Sequence, residues 1–200
     1  MLKGLMSKNL VPGQVQMIIT THGHPDHFGQ GNFFPNARHF FASYEYTGTS
    51  FIRTELYNAE TMKLTKNTEL WNTPGHTSQD VSLIVRNTKC CGTVAVVGDL
   101  FYTKSDAINS EEWDLDAWDQ VIGHQNRRRI ICTADWIVPG HGKIFKAVLE
   151  THDMLSVTSA QDITQFRGID NEISPVGKQP SLSVKNAHNK VASSSAIVSS

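Results

Sequence analysis

The chain has 200 residues, 39% of them hydrophobic, which is enough for one domain with a sizeable core. Its formal net charge of -1 provides no global electrostatic drive toward nucleic acid, although a local basic patch would suffice for binding. Apolar runs are too short to span a membrane, residues 1–10 carry no secretory signal, and an odd count of three cysteines argues against a disulfide framework. A reducing compartment, the cytosol with the nucleus as a further location, is the default expectation.

Residues 15–20 form the first expected strand, mostly apolar and so expected to be buried on both faces. They deliver a histidine-rich loop, after which residues 26–32 suit a short helix stopped by Pro35. Strands are expected at 38–42, 69–71, 81–86 and 93–97, with Cys90 and Cys91 in a turn before the last of these. Residues 114–131 read as one long helix, because Leu115, Trp118, Val121 and Ile122 recur at helical spacing. Within it, Arg127-Arg128-Arg129 reads as a solvated helix C-terminus, with an RNA phosphate patch as the alternative. Six carboxylates over 106–119 would oppose RNA nearby. A last short strand is expected at 135–138. From about Ser156 the pattern fails, so residues 1–150 are expected to form one domain and 156–200 a flexible, low-complexity tail.

Four groups in six residues carry the chemistry: His22, His24, Asp26 and His27. Imidazole suits zinc-like ions, and a carboxylate suits a harder ion or the orientation of bound water. Alternation lets His22 and His24 point the same way from an extended segment. Asp26 and His27 must then turn elsewhere, which suits two adjacent metal sites better than one. Three further sites put a ligand-type residue beside glycine at a strand end: Gly75-His76, Gly98-Asp99 and Gly140-His141. Thr21 and Thr77 are candidates to fix ring tautomers through hydrogen bonds. His39, His124, His152 and His188 have no neighbouring ligand pattern and read as structural or exposed.

This order, His-x-His-x-Asp-His, then Gly-His, Gly-Asp and Pro-Gly-His, resembles the metallo-β-lactamase superfamily over about residues 14–148. The resemblance implies an α/β fold, the αββα sandwich. It also implies a first metal held by His22, His24 and His76, and a second held by Asp26, His27 and His141, with Asp99 bridging. Two divalent ions are expected, zinc best matching the imidazole-rich set, with iron and manganese open. Such a pair shares and acidifies a water, and the hydroxide attacks a carbonyl or phosphorus. Asp26 and His141 are expected to act in catalysis as well as in ligation.

Within the superfamily, Leu70-Trp71, Thr73-Pro74-Gly75-His76 and the run 134–142 resemble a branch of metal-dependent endoribonucleases acting on histone pre-messenger RNA 3′ ends. An RNA substrate is therefore expected, with no membrane association and with a homodimer left open. A secreted β-lactamase would need an export signal and commonly carries Cys where Asp99 stands. A nuclease with a large insertion is excluded by the 41 residues between Asp99 and His141. The runner-up is a glyoxalase-II-like thioesterase or other small-molecule hydrolase, and a single-iron sulfur dioxygenase is a lesser alternative. Only 21 residues precede His22, so the fold is expected to lack its N-terminal strands. Absent strands would expose apolar sheet surface, which motivates a third reading, a catalytically inactive interaction protein.

Overall fold

The computed structural model describes residues 2–147. The tail expected at 156–200 lies outside the described residues. The histidine-rich loop sits where two sheets meet. The smaller sheet runs in order through β1 (Met17–Thr20), β2 (Arg38–Phe41), β3 (Tyr44–Thr47) and β4 (Ser50–Arg53). β1 and β2 are parallel and the other pairs antiparallel. The larger sheet contains β5 (Thr61–Lys63), β6 (Thr68–Asn72), β7 (Val81–Thr88), β8 (Gly92–Gly98), β9 (Trp136–Pro139) and β10 (Phe145–Lys146), in the order β10-β9-β8-β7-β6-β5. Its parallel pair is β8 with β9, a crossover that requires a covering helix.

That cover comes from α3 (Lys104–Ile108), α4 (Glu111–Asp116) and α5 (Gln120–Thr133). Ile84, Val97 and Ile137 of the larger sheet pack against Phe101, Trp113 and Ile130 in one buried cluster. The opposite face of the same sheet offers Leu70 and Val81 to Phe40 of β2, with Met17 and Ile19 of β1 alongside. The larger sheet is thus apolar on both faces, and period-2 alternation sorts its side chains between helices and partner sheet. The smaller sheet is covered on its outer side by short pieces: α2 (Pro25–Phe28) and a 3-10 turn at Gly31–Phe33. There the His39 Nε2–H donates to the Phe34 carbonyl at 2.9 Å, so His39 is a structural core histidine, although its buried Nδ1 has no hydrogen-bond partner. The remaining helix, α1 (Leu2–Met6), buries none of its residues. No helix among the described residues is long and apolar enough to cross a membrane.

Several expectations need correction. β1 is only half-buried over Met17–Ile19, because it lies at a sheet edge. The long helix expected at 114–131 is two helices. Trp118 and Asp119 N–H groups donate to the His76 and Gly75 carbonyls at 3.1 and 3.2 Å, which breaks the helical ladder. The Asp119 carboxylate then caps α5 by accepting from the Ile122 N–H at 2.9 Å. The apolar stripe read from sequence faces outward: Leu115 is 85% exposed, and Trp118 and Val121 are exposed with it. Trp113, Gly123, Asn126, Arg127 and Ile130 point inward instead.

Neither reading of the arginine run fits Arg127. Its guanidinium is buried, pairs with Asp106 at 3.0 Å, donates to the Leu100 carbonyl at 2.8 Å and also reaches the Asp106 carbonyl. Phe101 and Trp113 flank it at 4.2 and 4.6 Å. Arg129 lies over the Trp71 ring, and only Arg128 of the three is exposed. Cys90 and Cys91 do occupy the turn between β7 and β8, where a disulfide joins them. A bridge between neighbours closes a local ring and links no distant segments, so it adds no framework.

Candidate metal centre

Each candidate ligand leaves the end of a strand or the start of a short helix. His22 and His24 follow β1, and Pro25 then starts α2, which turns Asp26 and His27 away from them. The loop is tied to the larger sheet by the Val81 N–H, which donates to the Thr21 carbonyl at 2.8 Å. β8 ends at Gly98 with φ +54°, and a Cβ there would lie 2.3 Å from the Thr21 hydroxyl. A Cβ on Gly140 would lie 1.8 Å from the Asp99 carboxylate. Both glycines allow the strand ends to close around the acid.

All seven candidate ligands converge. His22, His24, His76 and Asp99 form one group and Asp26, His27 and His141 another, the ligand atoms within each lying within 4.8 Å of one another. His24 Nδ1 is 3.1 Å from His22 Nε2 and 3.0 Å from His76 Nε2. The Asp99 carboxylate stands between the groups. Its Oδ2 is 3.6 Å from His22 Nε2, 3.6 Å from His76 Nε2 and 3.2 Å from His141 Nε2. Its Oδ1 is 3.2 Å from His27 Nε2. Asp26 closes the second group at 3.3 Å from His27 and 3.5 Å from His141.

This donor set fits divalent cations. Burial, reinforced by His27, His76 and His24, brings the His22 imidazole down to about 3, so it stays neutral with a free lone pair. Burial lowers His76 as well. His27 Nε2 and Asp99 Oδ1 are buried, and although 3.2 Å apart they are misaligned, so each lacks a hydrogen-bond partner. Orphaned buried donors and acceptors are costly, and a cation between them would satisfy both.

A layer behind the ligands holds them. Trp113 Nε1–H donates to the Asp99 carbonyl at 2.8 Å, and Arg127 supports Leu100 next to it. Thr21 Oγ1 sits 3.2 Å from His22 Nδ1, as its candidate role requires. Thr77 instead serves Asp80, giving it the backbone N–H at 2.7 Å and the hydroxyl at 2.5 Å. Asp80 is buried in the turn after His76, and burial pushes its carboxyl up to about 7.

Sequence reading missed two cleft residues. Tyr102 places its hydroxyl 3.2 Å from His76 Nδ1 and 3.5 Å from the Asp116 carboxylate, to which it donates. With Nε2 turned to the ligand cluster, a proton on Nδ1 would be donated to Tyr102, in a relay that ends on Asp116. Burial, with Asp116 and Asp99 nearby, raises the phenol's pKa and keeps it protonated. The only sequence signal was the position of Tyr102 three residues after Asp99. The cleft, about 580 Å³, is lined by His24, Asp26, His76, Tyr102, Asp116 and His141, with Asp99 at its floor.

No family model matches the chain. It is 59% identical over 151 residues to an uncharacterized protein of Caenorhabditis elegans, covering 75% of this chain and 42% of that one. Over 165 residues it is 35% identical to the rat metallo-beta-lactamase domain-containing protein 1, covering 81% and 62%. The chain thus spans roughly half the length of these relatives. Among solved structures, a probable metal-dependent hydrolase from Staphylococcus aureus superposes with a TM-score of 0.56 at 16% identity, over 76% of this chain and 65% of that one. A B. thuringiensis structure with N-decanoyl-L-homoserine at its active site superposes at 0.53 and 21% identity, over 70% and 61%. Sequence kinship, the shared fold and the two converging ligand groups agree: the chain belongs to the metallo-β-lactamase superfamily, a family of metal-dependent hydrolases.

Proposed function

We propose that this chain is a two-metal endoribonuclease that hydrolyses phosphodiester bonds, with histone pre-messenger RNA 3′ ends as the substrate class. The placement of Asp99 between a group of three histidines and a group of Asp26, His27 and His141 carries the hydrolytic part of this reading. Divalent ions bound there, zinc by the chemistry of the donors, would supply Lewis acidity and lower the pKa of water to about 7. Asp26, 58% exposed at the mouth, is placed to orient the attacking water and accept its proton. His141 is half-exposed beside it and faces the same space. Tyr102 and Asp116 hold the His76 ring from behind. The RNA part is supported by the openness of the cleft, where an extended chain can lie across exposed ligands, and by the resemblance of Leu70-Trp71, Thr73-Pro74-Gly75-His76 and the run 134–142 to the endoribonuclease branch. Turnover in the cytosol and nucleus fits that substrate.

A second reading, hydrolysis of an acyl ester, thioester or lactone, is favoured by one observation. The Asp116 carboxylate lines the cleft, and no lysine or arginine does so among the described residues. A neutral acyl substrate avoids that repulsion. The deciding experiment measures metal content together with turnover on an RNA 3′-end substrate, an acyl thioester and an acyl lactone. Metal-loaded protein that cleaves RNA supports the first reading. Cleavage of acyl substrates alone overturns it, and protein that holds only trace metal favours a non-catalytic interaction protein.

A further inference from the structure

The outer face of the smaller sheet carries a feature the hydrolytic site does not use. The strand register puts His39 and Phe41 of β2, Tyr44 and Tyr46 of β3, and Phe51 and Arg53 of β4 on this face. α2 and the 3-10 turn cover only the His39 end, where Tyr46 stacks on His39 at 4.7 Å. Beyond them lies an open groove of about 390 Å³ lined by Phe41, Tyr44, Tyr46, Thr49, Ser50 and Phe51. Phe51 is 70% exposed. Arg53 is exposed with its guanidinium over Tyr57, and the carboxylate of these strands, Glu45, lies on the opposite face paired with Arg38. The groove also adjoins the metal centre: a Cβ on Gly23, between His22 and His24, would lie 3.4 Å from the Phe41 ring.

Exposed and half-buried rings interleaved with small hydroxylated residues and a cation, on a face whose strands offer no carboxylate, are the chemistry of a single-strand platform. Bases stack on the rings and the cation meets a phosphate. We propose that this face binds single-stranded RNA, with Phe51 and Tyr44 as stacking residues and Phe41 leading the strand to the histidine loop. The inference rests on the RNA reading above and adds where the strand outside the cleft is held. It also gives a ligand to the open face of Phe51, whose ring stands near-perpendicular to Tyr44 at 6.0 Å.

The test uses the full chain loaded with zinc and a single-stranded oligoribonucleotide of about 12 nucleotides. Steady-state cleavage is compared with hydrolysis of bis(4-nitrophenyl) phosphate, which is too small to reach the groove. Phe51→Ala is expected to raise the RNA KM about tenfold, the loss of one stacked base, with kcat and small-diester turnover unchanged. Phe51→Trp is expected to restore the KM. An unchanged RNA KM, in protein that cleaves RNA, overturns the platform and leaves the proposed function standing. Wild-type protein that turns over small substrates and neither binds nor cleaves RNA overturns the function, and the platform with it. An unchanged RNA KM with an altered sedimentation coefficient assigns the face to a second copy of the chain and overturns the RNA platform.

Discussion

The two ligand groups contrast in their surroundings. In the group of His22, His24, His76 and Asp99, three of four members are buried, whereas none of Asp26, His27 and His141 is buried. The buried group is held by strand ends and by a second layer of Thr21, Tyr102 and Trp113. The exposed group hangs from a four-residue helix and a loop between β9 and β10. Burial keeps His22 and His76 of the first group preorganised and neutral, while exposure gives substrate and solvent access to the second. The difference separates a holding half from a working half.

Asp99→Ala removes the one residue both halves share, and the largest effect is expected there. Turnover should fall about a thousandfold, and bound metal measured by elemental analysis should drop in both halves. Arg127→Ala attacks the support of the buried half alone. Leaving Asp106 uncompensated should cost about 3–5 kcal/mol in chemical denaturation, against about 1 kcal/mol or less for Arg129→Ala, whose partly exposed guanidinium lies over Trp71. A small Arg127→Ala effect would mean the buried layer is not what holds Asp99. Asp26→Ala attacks the exposed half. It should lower turnover about a hundredfold with an unchanged melting curve, and unchanged turnover would remove its assigned role. Tyr102→Phe should weaken metal binding at the buried half about tenfold, read by competition with a metallochromic chelator. Finally, a mild chelator should strip metal in two phases, the exposed half first; a single phase would erase the distinction between the halves.

Much of this was readable in the chain because the ligands lie in short motifs. His22, His24, Asp26 and His27 are neighbours, and His76, Asp99 and His141 each follow a glycine at a strand end. Strands such as β2, β7 and β8 were visible as apolar runs between turn residues. The β3–β4 hairpin was missed, although Gly48, with φ +58°, marks its two-residue turn. Its rings are exposed, so no buried pattern announced it. The helix break at 117–119 was invisible because the groups that cause it, the His76 and Gly75 carbonyls, lie over 40 residues away in the chain. Arg127 was misread for a related reason: a charged triplet looks solvated until Asp106, Phe101 and Trp113 are brought around it.

The sequence by itself determined which groups could bind metal, in what order, and hence the superfamily, because ligand identity is local chemistry written in single residues. Tertiary structure alone decided that one group is buried and the other open, and that Tyr102 and Asp116 stand behind His76. It also decided which face of the smaller sheet stays uncovered. Those properties are distances and exposures, set by strand register and by packing between segments far apart in the chain.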